Sequence, residues 1–183
     1  VVLLPKFEAR SVADAIATHH VTMLSLAPTM VSMLLDLAET DAHMDLSTIH
    51  TSAYGAAAMS TGLLRRASEA WGCGFAQGYG MTELSGNAVF LSPDDHRRAL
   101  DDRPELLNSA GRPGPLVAVR IIDTDGTDCP AGQTGEILIR GEQVSAGYLH
   151  QPNETATAFV DGWMHTGDIG YLDEDGYLFI CDR

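Results

Sequence analysis

Phe75-Ala76-Gln77-Gly78-Tyr79-Gly80-Met81-Thr82-Glu83 runs from an extended segment, Phe75 to Gln77, into small residues that predict a tight turn ahead of Thr82-Glu83. Upstream, Ile49 to Tyr54 reads as another strand and ends in the same way, in Gly55-Ala56-Ala57-Ala58. Two strands that each end in small residues predict turns lining one cleft, because open α/β sheets bind ligands beyond the carboxyl ends of their strands.

Working outward, the first half alternates short apolar runs with helical patterns, the rhythm of a layered α/β fold. Val1-Val2-Leu3-Leu4 and Thr22 to Leu26 read as strands. Ser11 with Asp14 predicts a capped helix from Ser11 to His19. Pro28 suits a first helical turn, and Val31, Leu34, Leu35 and Ala38 fall on one face behind it. Ser60 caps a helix carrying Leu63, Leu64 and Ala67, which Gly72 stops. From Asp94 to Pro104 charge replaces apolar periodicity, and glycines and prolines follow, so the break between subdomains is expected at 103/104. Beyond it, Val117 to Asp123 and Gly135 to Arg140 alternate as strands around Asp125-Gly126, and a last hairpin crosses Asp173-Glu174-Asp175-Gly176. The expectation is an α/β layered subdomain, 1–103, followed by a mainly β, distorted-barrel subdomain, 104–183.

Composition narrows the function classes. An apolar share of 45% supports a packed core. A formal net charge of -14, with Lys6 the one lysine, opposes nucleic-acid binding, which needs clustered cations. No run reaches the ~20 apolar residues that span a bilayer, and Val1 to Glu8 is not a basic region followed by a long apolar run, so neither membrane insertion nor secretion is expected. Cys73, Cys129 and Cys181 are too few and scattered for a disulfide framework, so a reducing cytoplasm is the expected setting. The chain opens without Met, inside an apparent strand, and is read as a truncated piece of a longer protein.

Several patterns fail on inspection. Gly72-x-Gly74 and Gly78-x-Gly80 begin like dinucleotide fingerprints, but Gln77 and Glu83 stand where the third glycine belongs. Asp123-x-Asp125-Gly126-x-Asp128 has its glycine too early for a calcium loop and Thr134 in place of the closing glutamate. The seven histidines lack metal-ligand spacing and read mostly as surface or packing residues, as Tyr148 and Trp163 read as structural aromatics.

Gln77 to Glu83 offers an aromatic face, a hydroxyl, a carboxylate and backbone free of side chains, the groups a nucleotide site needs. This stretch resembles the adenylate-forming superfamily of acyl-CoA synthetases, luciferases and peptide-synthetase adenylation domains. The resemblance covers nearly the whole chain, since Gly55-Ala56-Ala57, Gly111-Arg112-Pro113, Gly135-Glu136-Ile137, Gly147-Tyr148, Gly162-Trp163, Thr166-Gly167-Asp168 and Asp182-Arg183 follow the family order.

The resemblance implies that Gly55, Ala56, Ala57 and Tyr79 line the adenine pocket, that Thr82 contacts the α-phosphate and that Glu83 holds Mg2+. It assigns the ribose hydroxyls to Asp168, places Arg183 near ribose or phosphate, and sets Tyr54 and Gly78 near the acyl group. The implied reaction activates a small-molecule carboxylic acid with ATP and passes the acyl group to CoA. Gly-Met-Thr-Glu at 80–83 is more like acyl-CoA synthetases than amino-acid-activating domains, which commonly have proline at the position of Met81. A fatty acid is therefore the expected substrate, with amino-acid or aryl-acid adenylation, or a non-catalytic nucleotide-binding fragment, as alternatives. A homo-oligomer is compatible with this reading. The family's phosphate loop and small C-terminal domain lie outside these residues, so the chain alone is expected not to turn over.

Overall fold

A computed structural model describes residues 1–41, 44–55 and 59–182. It contains α1 (Ala9–His19), β1 (Met23–Leu26), α2 (Pro28–Thr40), β2 (Thr51–Tyr54), α3 (Thr61–Trp71) and β3 (Gly74–Met81). After a 3-10 turn (Thr82–Leu84) come β4 (Gly86–Leu91), α4 (Pro93–Asp101), β5 (Arg112–Pro113), β6 (Val117–Ile122) and β7 (Gly135–Gly141). The chain ends with α5 (Pro152–Ala158), β8 (Phe159–Val160), β9 (Trp163–Leu172) and β10 (Leu178–Asp182).

The chain divides into two compact units, residues 1–77 with 92–107 and residues 78–91 with 108–183. The division differs from the break expected at 103/104, because the segment after Gln77 packs with the β-rich half. In the first unit, β1, β2 and the start of β3 form a parallel array in which Met23 pairs with Thr51 and Thr51 with Gly74. Parallel neighbours need long crossovers, which α2 and α3 supply. Val31, Leu34 and Leu35 of α2 are fully buried, as their spacing predicts. Ser60 caps α3 by accepting from the Leu63 N–H at 3.3 Å, and Gly72 ends it at φ 60°.

Three local expectations change. Val1 to Leu4 form no strand and are exposed; an apolar run without a partner edge has nothing to satisfy its backbone. Helix α1 starts at Ala9 behind Glu8, and Ser11 Oγ instead lies 3.3 Å from Glu8 Oε2. The charged stretch after Ser92 is a helix, α4, opened by a capping box in which Ser92 Oγ accepts from the Asp95 N–H and Asp95 from the Ser92 N–H, both at 3.1 Å. Its inner face is Asp95, His96 and Ala99, residues that apolar periodicity does not register.

In the second unit, β5 pairs antiparallel with β4, and β6 to β10 form an antiparallel sheet in the order β10-β9-β7-β6, with β8 on β9. Ile137, Leu138 and Ile139 of central β7 are all buried, so both faces of the sheet are covered there. The hairpin turns are tied by Asp123 and Asp173, whose carboxylates accept the N–H of Asp125 and Thr127, and of Asp175 and Tyr177.

Ser52 of β2 buries a hydroxyl that meets no hydrogen-bond partner among the described residues. An unsatisfied buried donor costs about 1 kcal/mol or more. Ser52→Ala is expected to raise the unfolding free energy by about 1 kcal/mol, read as a higher urea midpoint; a lowered midpoint would show that the hydroxyl is satisfied.

Candidate functional site

Gly78, Tyr79 and Gly80 continue β3 as strand and do not turn. Their glycines serve strand packing: a Cβ at Gly80 would overlap the Gly86 carbonyl, and one at Gly78 the Asn87 side chain. The chain reverses one step later, where Thr82, Glu83 and Leu84 make the 3-10 turn and Ser85 takes the left-handed φ of 54°. Thr82 is exposed there, beside a shallow cavity of about 440 Å³ lined by Gly80, Met81, Thr82, Ser85, Gly86 and Asn87.

Tyr79 points into the core and is 4% exposed, yet its hydroxyl donates to Asp168 Oδ2 at 2.6 Å. Asp168 reaches it because β9 bulges. Glu136 pairs with Ile169 and Leu138 with His165, so Thr166, Gly167 and Asp168 stand opposite a single residue of β7. Gly167 takes φ 73° within the bulge, which suits a residue without Cβ. Thr166 braces it, donating to the Ile137 carbonyl at 2.8 Å and accepting from the Asp168 N–H at 3.1 Å. The Thr-Gly-Asp sequence is thus a device that turns a carboxylate inward, where it is 6% exposed.

Glu83 is held from a second direction. Tyr148 donates its hydroxyl to Glu83 Oε1 at 2.9 Å, the Ser145 N–H donates to the Glu83 carbonyl at 2.7 Å, and Gln143 Nε2 donates to the carbonyls of Leu84 and Asn87 at 3.0 and 3.1 Å. The neighbouring carboxylate pushes the Tyr148 hydroxyl up from its ordinary pKa, through the hydrogen bond first and then partial burial, which keeps it a donor. Tyr148 therefore has a polar role beside its edge contact with Phe159. Among the described residues no cluster of three His, Cys, Asp or Glu is ready for a metal. A lone carboxylate does fit Mg2+, which binds through one or two carboxylates, waters and substrate phosphates.

In the first unit, Tyr54 is 3% exposed, with its hydroxyl 2.8 Å from His96 Nε2 and 3.2 Å from Gln77 Oε1. His96 Nδ1 lies 2.8 Å from the Ser92 carbonyl, which can only accept, so Nδ1 carries a proton, and the single proton of the Tyr54 hydroxyl faces both Nε2 and Gln77 Oε1. His96 is thus a buried hydrogen-bonded neighbour of Tyr54. Gly55 also belongs to this unit; Ala56, Ala57 and Arg183 lie outside the described residues. His165 pairs with Glu136 at 2.9 Å, and Trp163 carries Arg120 and Arg140 over its ring.

Of the residues expected at the site, the structure joins Tyr79 to Asp168 and ties Glu83 to Tyr148, and it adds Gln143, Ser145 and His96, which no sequence motif marks. The spacing of Gly147-Tyr148 was visible, but a contact across 65 residues has no local signature.

The whole chain matches an amide bond synthetase from Marinactinospora thermotolerans, with 37% identity, a TM-score of 0.88 and 36% of that chain covered. It also matches O-succinylbenzoate coenzyme A synthetase from Bacillus subtilis, solved with ATP and magnesium ion, at 33% identity, a TM-score of 0.85 and 36% of that chain. A fatty acid–[acyl-carrier-protein] ligase of Streptomyces coeruleorubidus is 38% identical over the whole chain and 34% of its own length. Residues 1–149 match the model of the AMP-binding enzymes, and the chain belongs to that family. It spans about a third of the length of the curated relatives it matches. No described helix is long and apolar enough to cross a membrane.

Burial lowers the pKa of His96 below its ordinary 6.5, against the Ser92 carbonyl and Asp95, which raise it. The unfolded chain then binds the proton first as pH falls, so stability is full above about pH 6.5 and is lost below it, toward the folded value. The urea midpoint is expected to fall on acidification in this window, and less steeply in His96→Gln. Parallel slopes would remove His96 as the cause.

Proposed function

We propose that the protein carrying this chain activates a carboxylic acid with ATP and transfers the acyl group to the thiol of CoA, and that the acid is a fatty acid. The observation that carries the reading is one unit's pairing of Tyr79 with Asp168, together with a turn that holds Glu83. In this reading Asp168 accepts from the ribose hydroxyls and Tyr79 borders the adenine. Thr82 donates to the α-phosphate, and Glu83 is the carboxylate for Mg2+, which supplies charge neutralisation on the phosphates when bound. Gly55, Ala56, Ala57 and Arg183 keep their nucleotide assignments, and Tyr54 and Gly78 the acyl group, on the family resemblance.

A substrate carboxylate oxygen attacks the α-phosphorus of ATP as the bond to the β-phosphate oxygen breaks, which gives acyl-adenylate and pyrophosphate. The CoA thiol, losing its proton, then bonds to the acyl carbon and AMP leaves. The residues supply alignment and stabilisation of developing charge. An aryl acid is the second reading, since one relative is named for succinylbenzoate. A carrier-protein thiol is the alternative acceptor, as in the name of another. Met81, where amino-acid-activating domains commonly have proline, argues for the acyl branch. Magnesium, the cytoplasmic setting and a homo-oligomer belong to this proposal as well.

Pyrophosphate exchange by the full-length protein over fatty, aryl and amino acids tests it. Exchange should be strongest with fatty acids, Asp168→Asn should raise the KM for ATP about tenfold or more, and Glu83→Gln should lower kcat by about 10²-fold. Preference for an amino acid, or wild-type kinetics in both folded variants, overturns the reading. The 183-residue chain alone should show no exchange; a rate matching the full-length protein would show that the phosphate contacts are complete within it.

A further inference from the structure

We infer that Tyr148 is a positioning residue for the metal-binding carboxylate, fixing Glu83 so that one oxygen is taken and the other is presented outward. The inference rests on the proposed role of Glu83 and adds a residue to it.

Glu83 stands on a turn of three residues and has three rotatable side-chain bonds, so its carboxylate has no fixed direction of its own. Tyr148 gives it one. The hydroxyl bonds Oε1 at 2.9 Å, and Oε2 accepts no hydrogen bond from the described residues. A ligand oxygen whose partner oxygen is tied in this way is the arrangement that outer hydrogen bonds give to metal-binding carboxylates.

The placement of the tyrosine does not depend on that bond. Its backbone N–H donates to Thr155 Oγ1 at 2.9 Å, and its ring packs edge-on against Phe159 with centroids 5.6 Å apart. The same loop fixes the backbone of the turn, since the Ser145 N–H bonds the Glu83 carbonyl and Gln143 bonds those of Leu84 and Asn87. The hydroxyl is thus the one part of Tyr148 aimed at the carboxylate, and it can be removed without the packing.

Tyr148→Phe in the full-length protein is the test. Electron paramagnetic resonance of Mn2+ with ATP, in the absence of any carboxylic acid, should show metal affinity reduced about tenfold. In exchange assays the Mg2+ concentration for half-maximal rate should rise by a similar factor, with kcat at saturating Mg2+ close to wild type. Phe159→Leu, which removes the ring contact and leaves the hydroxyl, should lower thermal stability without changing metal affinity. Unchanged Mn2+ affinity in Tyr148→Phe, with Glu83→Gln weakened, sinks this inference alone. Unchanged affinity in Glu83→Gln as well sinks the assignment of Glu83 beneath it.

Discussion

The hydrogen bond from Tyr79 to Asp168 closes a gap of 89 residues and joins the end of β3 to the bulge of β9 inside one core. Neither group would be buried comfortably alone. A tyrosine hydroxyl without a partner costs free energy, and a carboxylate without donors costs more. Together they satisfy one another, and the surrounding core of Leu84, Ala88, Ile137 and Met164 can pack against them. The contact is therefore structural first: the groups proposed for a ribose and an adenine are also what the second unit folds around.

The bulge explains how a sheet core admits a carboxylate at all. A regular strand would alternate Thr166 and Asp168 onto the same face, with Gly167 opposite. The inserted residues, a positive φ at Gly167 and the Thr166 hydroxyl on the Ile137 carbonyl change that direction without breaking the sheet. A similar economy marks the turn after β3. Three of its polar contacts come from one loop, and two of these are made to main-chain carbonyls, so the turn is held regardless of which side chains it displays.

Much of this was readable from residues in order. Helices α2 and α3 and the hairpins were marked by apolar spacing, caps and Asp-Gly turns, and Glu83 and Asp168 stood in motifs of fixed order. Reading Gly78-Tyr79-Gly80 as a turn failed because glycine permits two things, a bend and a close neighbour, and here the neighbour is Gly86. Helix α4 escaped because it buries His96 and Asp95, whose polarity is met by Tyr54 from elsewhere in the chain and by the helix's own cap, Ser92. Tyr148 escaped for the same reason: a long-range partner leaves no periodic trace.

The loop that braces Glu83 divides its positions by how freely they can drift over evolution. At 145 the bond to Glu83 comes from the main chain, so any residue but proline can make it. At 147 only glycine fits, because φ is 142° and a Cβ would run into Thr155. At 148 the bond to the Glu83 side chain takes a ring with a hydroxyl at its far end. Neighbouring sites in a single loop thus face very different selective filters, and a tally of exchange rates along it would trace the support of the carboxylate without any ligand in view.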